Sequence, residues 1–150
     1  MRFRHTLDQF VGRPRWVTVL GTATVLAYAV AVFYAGGLEV GGDVTFYAAG
    51  LVGGLVAGFA LGTNVYDGMA AGLRAGAFGV VTLAVAATAA FFVLWQAASG
   101  QLFFYWASFY GLLGLIFLAP IYGFTGILGG AVGVLLRRWT LPDHLNPRAY

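Results

Sequence analysis

The chain has no cysteine and no lysine. The first absence excludes disulfides, thiolate catalysis and cysteine-ligated metals. The second leaves arginine as the only strongly basic side chain. Charge is scarce as well: only 9% of the 150 residues are charged, whereas an ordinary soluble domain carries about 25%. A chain that is 61% hydrophobic, with a mean hydropathy of +0.86, cannot clothe a globule in polar surface, so a bilayer is its expected solvent. Histidine is confined to His5 and His144, both in terminal tails. A haem bound in a helical bundle would need axial ligands inside the spans. No carboxylate pair, nucleophile–base pair or metal cluster can be assembled within a span. The expectation is a chain with no enzymatic activity, no cofactor, no metal and no nucleic-acid partner.

What remains is apolar sequence punctuated by arginine. A span needs roughly 20 apolar residues, so four spans with short loops use the whole length as one transmembrane domain, residues 1–150. The spans are expected at about 16–35, 44–63, 68–98 and 103–136. A basic segment, 1–15, precedes them and a short tail, 137–150, follows. Arg2, Arg4, Arg13 and Arg15 precede the first span, Arg74 belongs to the second connection, and Arg137, Arg138 and Arg148 follow the fourth span. The first and third connections, GGLEVGGD and ASGQ, hold no basic residue. Arginine on one side only makes that side cytoplasmic, which places both termini there and requires an even number of spans. Ala27-Tyr28-Ala29 has the form of a signal-peptidase site, but the apolar run continues to Ala35 without a polar region, which favours an uncleaved span.

The fourth span is overlong. Phe103 to Leu136 is apolar throughout and as one helix would reach about 50 Å, against a hydrocarbon core of about 30 Å. A single helix, tilted or kinked at Pro120, is expected, with Phe103, Phe104, Tyr105 and Trp106 as an aromatic belt at the outer interface.

Glycine is spaced rather than scattered. Gly50, Gly54, Gly58 and Gly62 recur every fourth residue, as do Gly68, Gly72 and Gly76, and then Gly126 and Gly130. Residues four apart share one helix face, so each set forms a groove. Small residues let helix backbones approach closely in lipid, where apolar side chains gain nothing from hiding from one another. Helix packing, within or between protomers, is the primary reading; a path lined by backbone is the alternative. The segment G50-LVGGLV matches G126-ILGGAV position by position, which suggests two pseudo-symmetric helical hairpins related by an axis along the membrane normal.

The stretch AGLVGGLVAGFALGTNVYDGMAAGLRAGAFG, Ala49 to Gly79, together with GILGGAVG, Gly126 to Gly133, resembles small glycine-rich four-span membrane proteins of haloarchaea, a family of unknown function. That resemblance implies an archaeal plasma-membrane protein of four helices and carries no activity or site residues with it.

Few polar groups remain to be placed. Asp67 suits the amino end of the third span as a cap and Arg74 can snorkel to the headgroups; a sharper reading joins Asn64, Asp67 and Arg74 as a polar site at the cytoplasmic mouth. Thr18, Thr22, Thr82, Thr88 and Thr125 can return hydroxyl bonds to the preceding turn. Phe3, Leu7, Phe10 and Val11 fall on one helical face of the basic start, which suits an amphipathic segment on the inner leaflet. The expected architecture is therefore an all-α integral membrane four-helix bundle in contact with membrane lipids. Its expected role is a structural or accessory subunit, a homo-oligomer or part of a larger membrane complex, associating through its glycine stripes. A small channel or carrier for an uncharged or weakly polar solute is the alternative.

Overall fold

The computed structural model describes residues 14–35, 38–62, 64–95 and 101–141, with the side chains of 38–44, 46, 90–95, 101–110 and 112 left outside that description. The basic segment 1–13, the Gln96–Gly100 connection, the aromatic side chains of Phe103 to Trp106, the terminal histidines and the tail after Leu141 all lie outside it. Four helices account for nearly everything described: α1 (Arg15–Tyr34), α2 (Leu38–Leu61), α3 (Val65–Trp95) and α4 (Gln101–Thr140). Three helical stretches, Arg15–Tyr34, Val65–Ala89 and Leu113–Thr140, are each long and apolar enough to cross a membrane, and Tyr47–Leu61 of α2 is a shorter apolar helix.

The helices form because nothing in these runs competes with them. Threonine, the commonest polar residue in the spans, turns its hydroxyl back onto its own helix: Thr24 donates to the Leu20 carbonyl at 2.8 Å, Thr82 to Phe78 at 2.6 Å, Thr88 to Ala84 at 2.8 Å and Thr125 to Ile121 at 3.0 Å. That satisfies the hydroxyl where no water is available. α2 begins earlier than the charge pattern suggested. Leu38 to Asp43, expected as loop, is the first part of the helix. α4 runs unbroken through Pro120. Proline cannot donate the amide bond that the Ile116 carbonyl would otherwise receive.

The register follows from close approaches. Gly54 and Gly58 of α2 meet Gly126 and Gly130 of α4, so these two helices run parallel. Gly68 and Gly76 of α3 meet Gly130 and Tyr122, so α3 and α4 run antiparallel. Gly21 and Val25 of α1 meet Ala75 and Gly79, so α1 runs parallel to α3. The start of α1, the end of α2, the start of α3 and the end of α4 therefore share one end of the bundle, called here the arginine end. α2 and α3 pack together, α4 lies on both, and α1 packs on the same two helices away from α4.

Two small buried clusters mark the core. Near the arginine end it is Val17, Ala57, Ala71 and Ala75; further in it is Val25, Ala49, Val80 and Tyr122, with Tyr28, Tyr47, Leu118 and Ala119 packed around them. Beyond Ala29, Val80 and Tyr122 towards the distal end, no described side chain is fully buried. Tyr122 is 0% exposed and is the largest fully buried side chain described.

Candidate functional site: a glycine-packed interface closed by Arg137

The glycine stripes converge on one another. A Cβ built on Gly54 would stand 2.8 Å from the Gly126 Cα and closer still to its carbonyl oxygen; one on Gly58 would stand 2.8 Å from the Gly130 Cα. Across the other seam, a Cβ on Gly72 would come within 3.0 Å of the Gly130 Cα, and one on Gly76 or Gly126 would strike the facing carbonyl of Tyr122 or Gly72. Gly50 lies against Tyr122 and the Thr125 hydroxyl, and Gly68 against Val134 and the Gly130 carbonyl. In each case backbone occupies the space a side chain would need. What fills the grooves of α2 and α3 is thus α4 of the same chain. Gly129 and Gly133, three residues after Gly126 and Gly130 respectively, admit the Leu51 and Leu55 carbonyls of α2 in the same way.

Gly62 departs from its stripe. It lies just past the last residue of α2, at φ +63°, and its amide bonds the Gly58 carbonyl at 3.0 Å. Glycine ends helices in this left-handed conformation because it has no Cβ to clash. Its missing side chain makes room for Arg137, whose Nε, Cδ and Cζ occupy the place of a Cβ. From there Arg137 Nη1 donates to the Phe59 carbonyl at 2.8 Å and to the Ala60 carbonyl at 3.0 Å. The last carbonyls of a helix have no intrahelical donor, and a cation there complements the dipole. Arg137 therefore caps α2 from α4, across a sequence separation of 77 and 78 residues. Its Nε is buried without a hydrogen-bond partner.

Asn64 and Asp67 do come together, as a cap. The Asn64 side chain accepts from the Asp67 amide at 2.8 Å and donates to the Asp67 carboxylate at 2.7 Å, while the Asn64 carbonyl accepts from the Gly68 amide at 3.0 Å. Asn64 thus stands in the N-cap position, its side-chain oxygen holding the amide of the third helical residue while its NH2 group pairs with that residue's carboxylate, so Asn64, rather than Asp67, begins the cap. Arg74 lies two turns further along α3 and is half-buried.

Sequence reasoning missed two parts of this arrangement. One is Val25, whose side chain fills the space opposite both Gly53 and Gly79; Gly53 reads only as widening the first groove and Gly79 stands off the second, and neither spacing points to a residue of α1. The other is the layer of Tyr28, Tyr47 and Tyr122, drawn from three helices. The only signal was three tyrosines inside otherwise aliphatic spans. The repeated motif also serves two different purposes. In α2, Gly53 receives α1 and Gly54 receives α4; in α4, Gly129 receives α2 and Gly130 receives α3. The match in sequence is not a match in contacts.

A model of a family of unknown function, DUF5518, matches residues 16–136. The chain belongs to that family. The matched segment of DUF5518 runs from the second residue of α1 to the residue before Arg137, and so takes in the glycine contacts described above except that of Gly62 with Arg137. Searches of the curated proteins and of the solved structures return no match.

Proposed function

We propose that this member of DUF5518 is a non-enzymatic plasma-membrane protein of four spans, with both termini cytoplasmic, that serves as a structural or accessory subunit of a membrane assembly. The observation that carries this reading is the occupancy of the glycine stripes. Gly54, Gly58, Gly72 and Gly130 are all closed by backbone of the same chain. A carrier or channel along this interface would need a continuous gap where the helices instead touch. The arginine end, with Arg15 opening α1 and Arg137 and Arg138 in the last turn of α4, supports the cytoplasmic assignment. A bundle whose inner seams are sealed has its lipid-facing surfaces left for association.

Two measurements test the reading. Liposomes containing the purified protein should pass water and glycerol no faster than empty liposomes; excess flux that Gly54→Leu abolishes would establish the transport alternative. Native mass spectrometry of the protein released gently from its own membrane should find it in an assembly, with copies of itself or with another membrane protein. Recovery only as a monomer overturns the subunit role.

A further inference from the structure

Arg74 is the one charged residue that the described helices place well inside an apolar span. It follows Val65, the start of the span Val65–Ala89, by about 14 Å along the axis at 1.5 Å per residue. Gly21 of α1 meets Ala75 of α3, so Arg74 is level with Leu20 and about 7.5 Å deeper than Arg15. A guanidinium at that depth is costly in hydrocarbon and is retained where it has a polar or anionic contact to make. Helical side chains lean towards the amino end of their helix, which for α3 is the arginine end. The Arg74 head is thereby carried back towards the level of Arg15.

Both arginines border one groove. α3 meets α4 through Gly68, Gly72 and Gly76, and α1 through Ala75 and Gly79. With 3.6 residues per turn, Arg74 stands about 100° round from Ala75 and about 160° from Gly72, so it lies on the outer face of α3, on the side of α1. It is half-buried there. On α1, Val17, Gly21 and Val25 form the inward stripe, and Arg15, Thr18 and Thr22 follow at i, i+3 and i+7 along one flank of it. Both helices start at the arginine end and wind clockwise as seen from there. On α3 that sense runs from the α1 contacts to the α4 contacts, which puts the Arg15 flank of α1 beside α3. Asp67, seven residues before Arg74 and on the same face, is the only described acid at this groove, so the two arginines leave one positive charge in excess. Asn64, expected beside Asp67 and Arg74, is taken up by the helix cap. Deeper along the face of Arg74 come Phe78 and Val85, 37% and 63% exposed, and no further charge.

We propose that the α1–α3 groove at the arginine end binds an anionic phospholipid, with its phosphate between Arg15 and Arg74 and an acyl chain along Phe78 and Val85. Charge complementarity names the occupant. Excess positive charge at head-group level, above an uncharged outer strip, matches a negative head group above a hydrocarbon chain. A zwitterionic lipid matches the strip without matching the charge. Each guanidinium has five N–H donors in a planar fork suited to phosphate, so a phosphate adds to whatever protein acceptors the two arginines already use. The inference goes beyond the subunit role and does not depend on it, because a lipid in this groove leaves the other faces of the bundle open to a partner.

The test is lipid retention by the full-length protein in mild detergent. The protein is mixed with phosphatidylglycerol or phosphatidylcholine of equal chain length, and bound lipid is counted by native mass spectrometry. Phosphatidylglycerol should be retained at least fivefold more than phosphatidylcholine. Arg74→Gln and Arg15→Gln should each lower its retention at least fivefold, with helical circular dichroism unchanged. Arg15 is exposed in the first turn of α1, so its variant gives a readout even where Arg74→Gln fails to fold. Arg138→Gln removes the same charge from the end of α4, a helix that packs away from α1, and should leave retention as it was. Millimolar inorganic phosphate should not displace the lipid, since it has no chain to lie along Phe78 and Val85. Equal retention of the two lipids overturns the proposal, as does an equal loss with Arg138→Gln, which would mean diffuse charge attraction. Displacement by inorganic phosphate overturns it in favour of a site for the free anion. Each of these failures leaves the subunit role standing.

Discussion

Replacing Gly130 by alanine tests the packing argument most sharply, because intrinsic propensity and tertiary contact predict opposite signs. In an exposed helix interior the change stabilises by about 0.8–1.0 kcal/mol. In this bundle the new Cβ would meet the Gly68 carbonyl group, with its carbon at 2.8 Å, and the Gly72 Cα at 3.2 Å. All of these are backbone atoms, so no rotamer can relieve the contact, and α4 must draw away from α3 by on the order of 1 Å. A gap of 0.5–1 Å already forfeits about a quarter to a half of each dispersion contact, and overpacking of this kind costs about 1–3 kcal/mol. Set against the helix gain, that leaves a net loss of up to about 2 kcal/mol. Gly123→Ala supplies the control on the same helix. Its Cβ would meet only the end of the Leu73 side chain, Cδ1 at 3.0 Å, and Leu73 is 43% exposed and free to turn aside. Gly123→Ala should be neutral or gain up to about 1 kcal/mol. Reversible unfolding in mild detergent, followed by circular dichroism, measures both. If the two variants prove equally stable, the seam is looser than described and the packing argument fails.

Three further outcomes follow from the same contacts. Arg137→Gln should cost about 1.5–3 kcal/mol through loss of its charge-assisted bonds to the Phe59 and Ala60 carbonyls, with faster amide exchange confined to the last turn of α2 and the adjoining end of α4. Asn64→Ala should cost about 1 kcal/mol and accelerate exchange in the first turn of α3, where the Asp67 amide loses its side-chain acceptor; an unchanged exchange pattern would show that the cap contributes nothing. Tyr122→Ala should cost about 3–5 kcal/mol in thermal or denaturant unfolding, as large-to-small changes at a fully buried ring do, whereas Tyr122→Phe keeps the ring and should lose far less.

Much of the helical layout was legible because it depends on one-dimensional quantities. Apolar run lengths locate helices, arginine positions assign ends, and glycine at every fourth residue marks a face. The start of α2 was misplaced because Gly-Gly-Leu-Glu-Val-Gly-Gly-Asp looks like a loop by composition, while Leu38 to Asp43 of it are helical. Gly62 was read as the last member of a stripe; spacing cannot tell a packing glycine from one that ends a helix at positive φ, since both sit four residues beyond Gly58. The cap at Asn64 was within reach, for Asn three residues before an acid is a local signal, but a carboxylate at Asp67 suits the same helix end by its charge alone.

By itself the sequence determined that this chain builds apolar helices, which faces of them admit close approach, and that its chemistry excludes cysteine and metal–thiolate sites. Each of these follows from residue type and spacing along one helix. Only the tertiary structure decided the partners: that α4 lies in the grooves of both α2 and α3, that Val25 fills Gly53 and Gly79, and that Arg137 reaches across to close α2. A groove specifies a shape without naming what enters it. In lipid the choice among several equally apolar helices rests on how backbones register in three dimensions, and no single span carries that information.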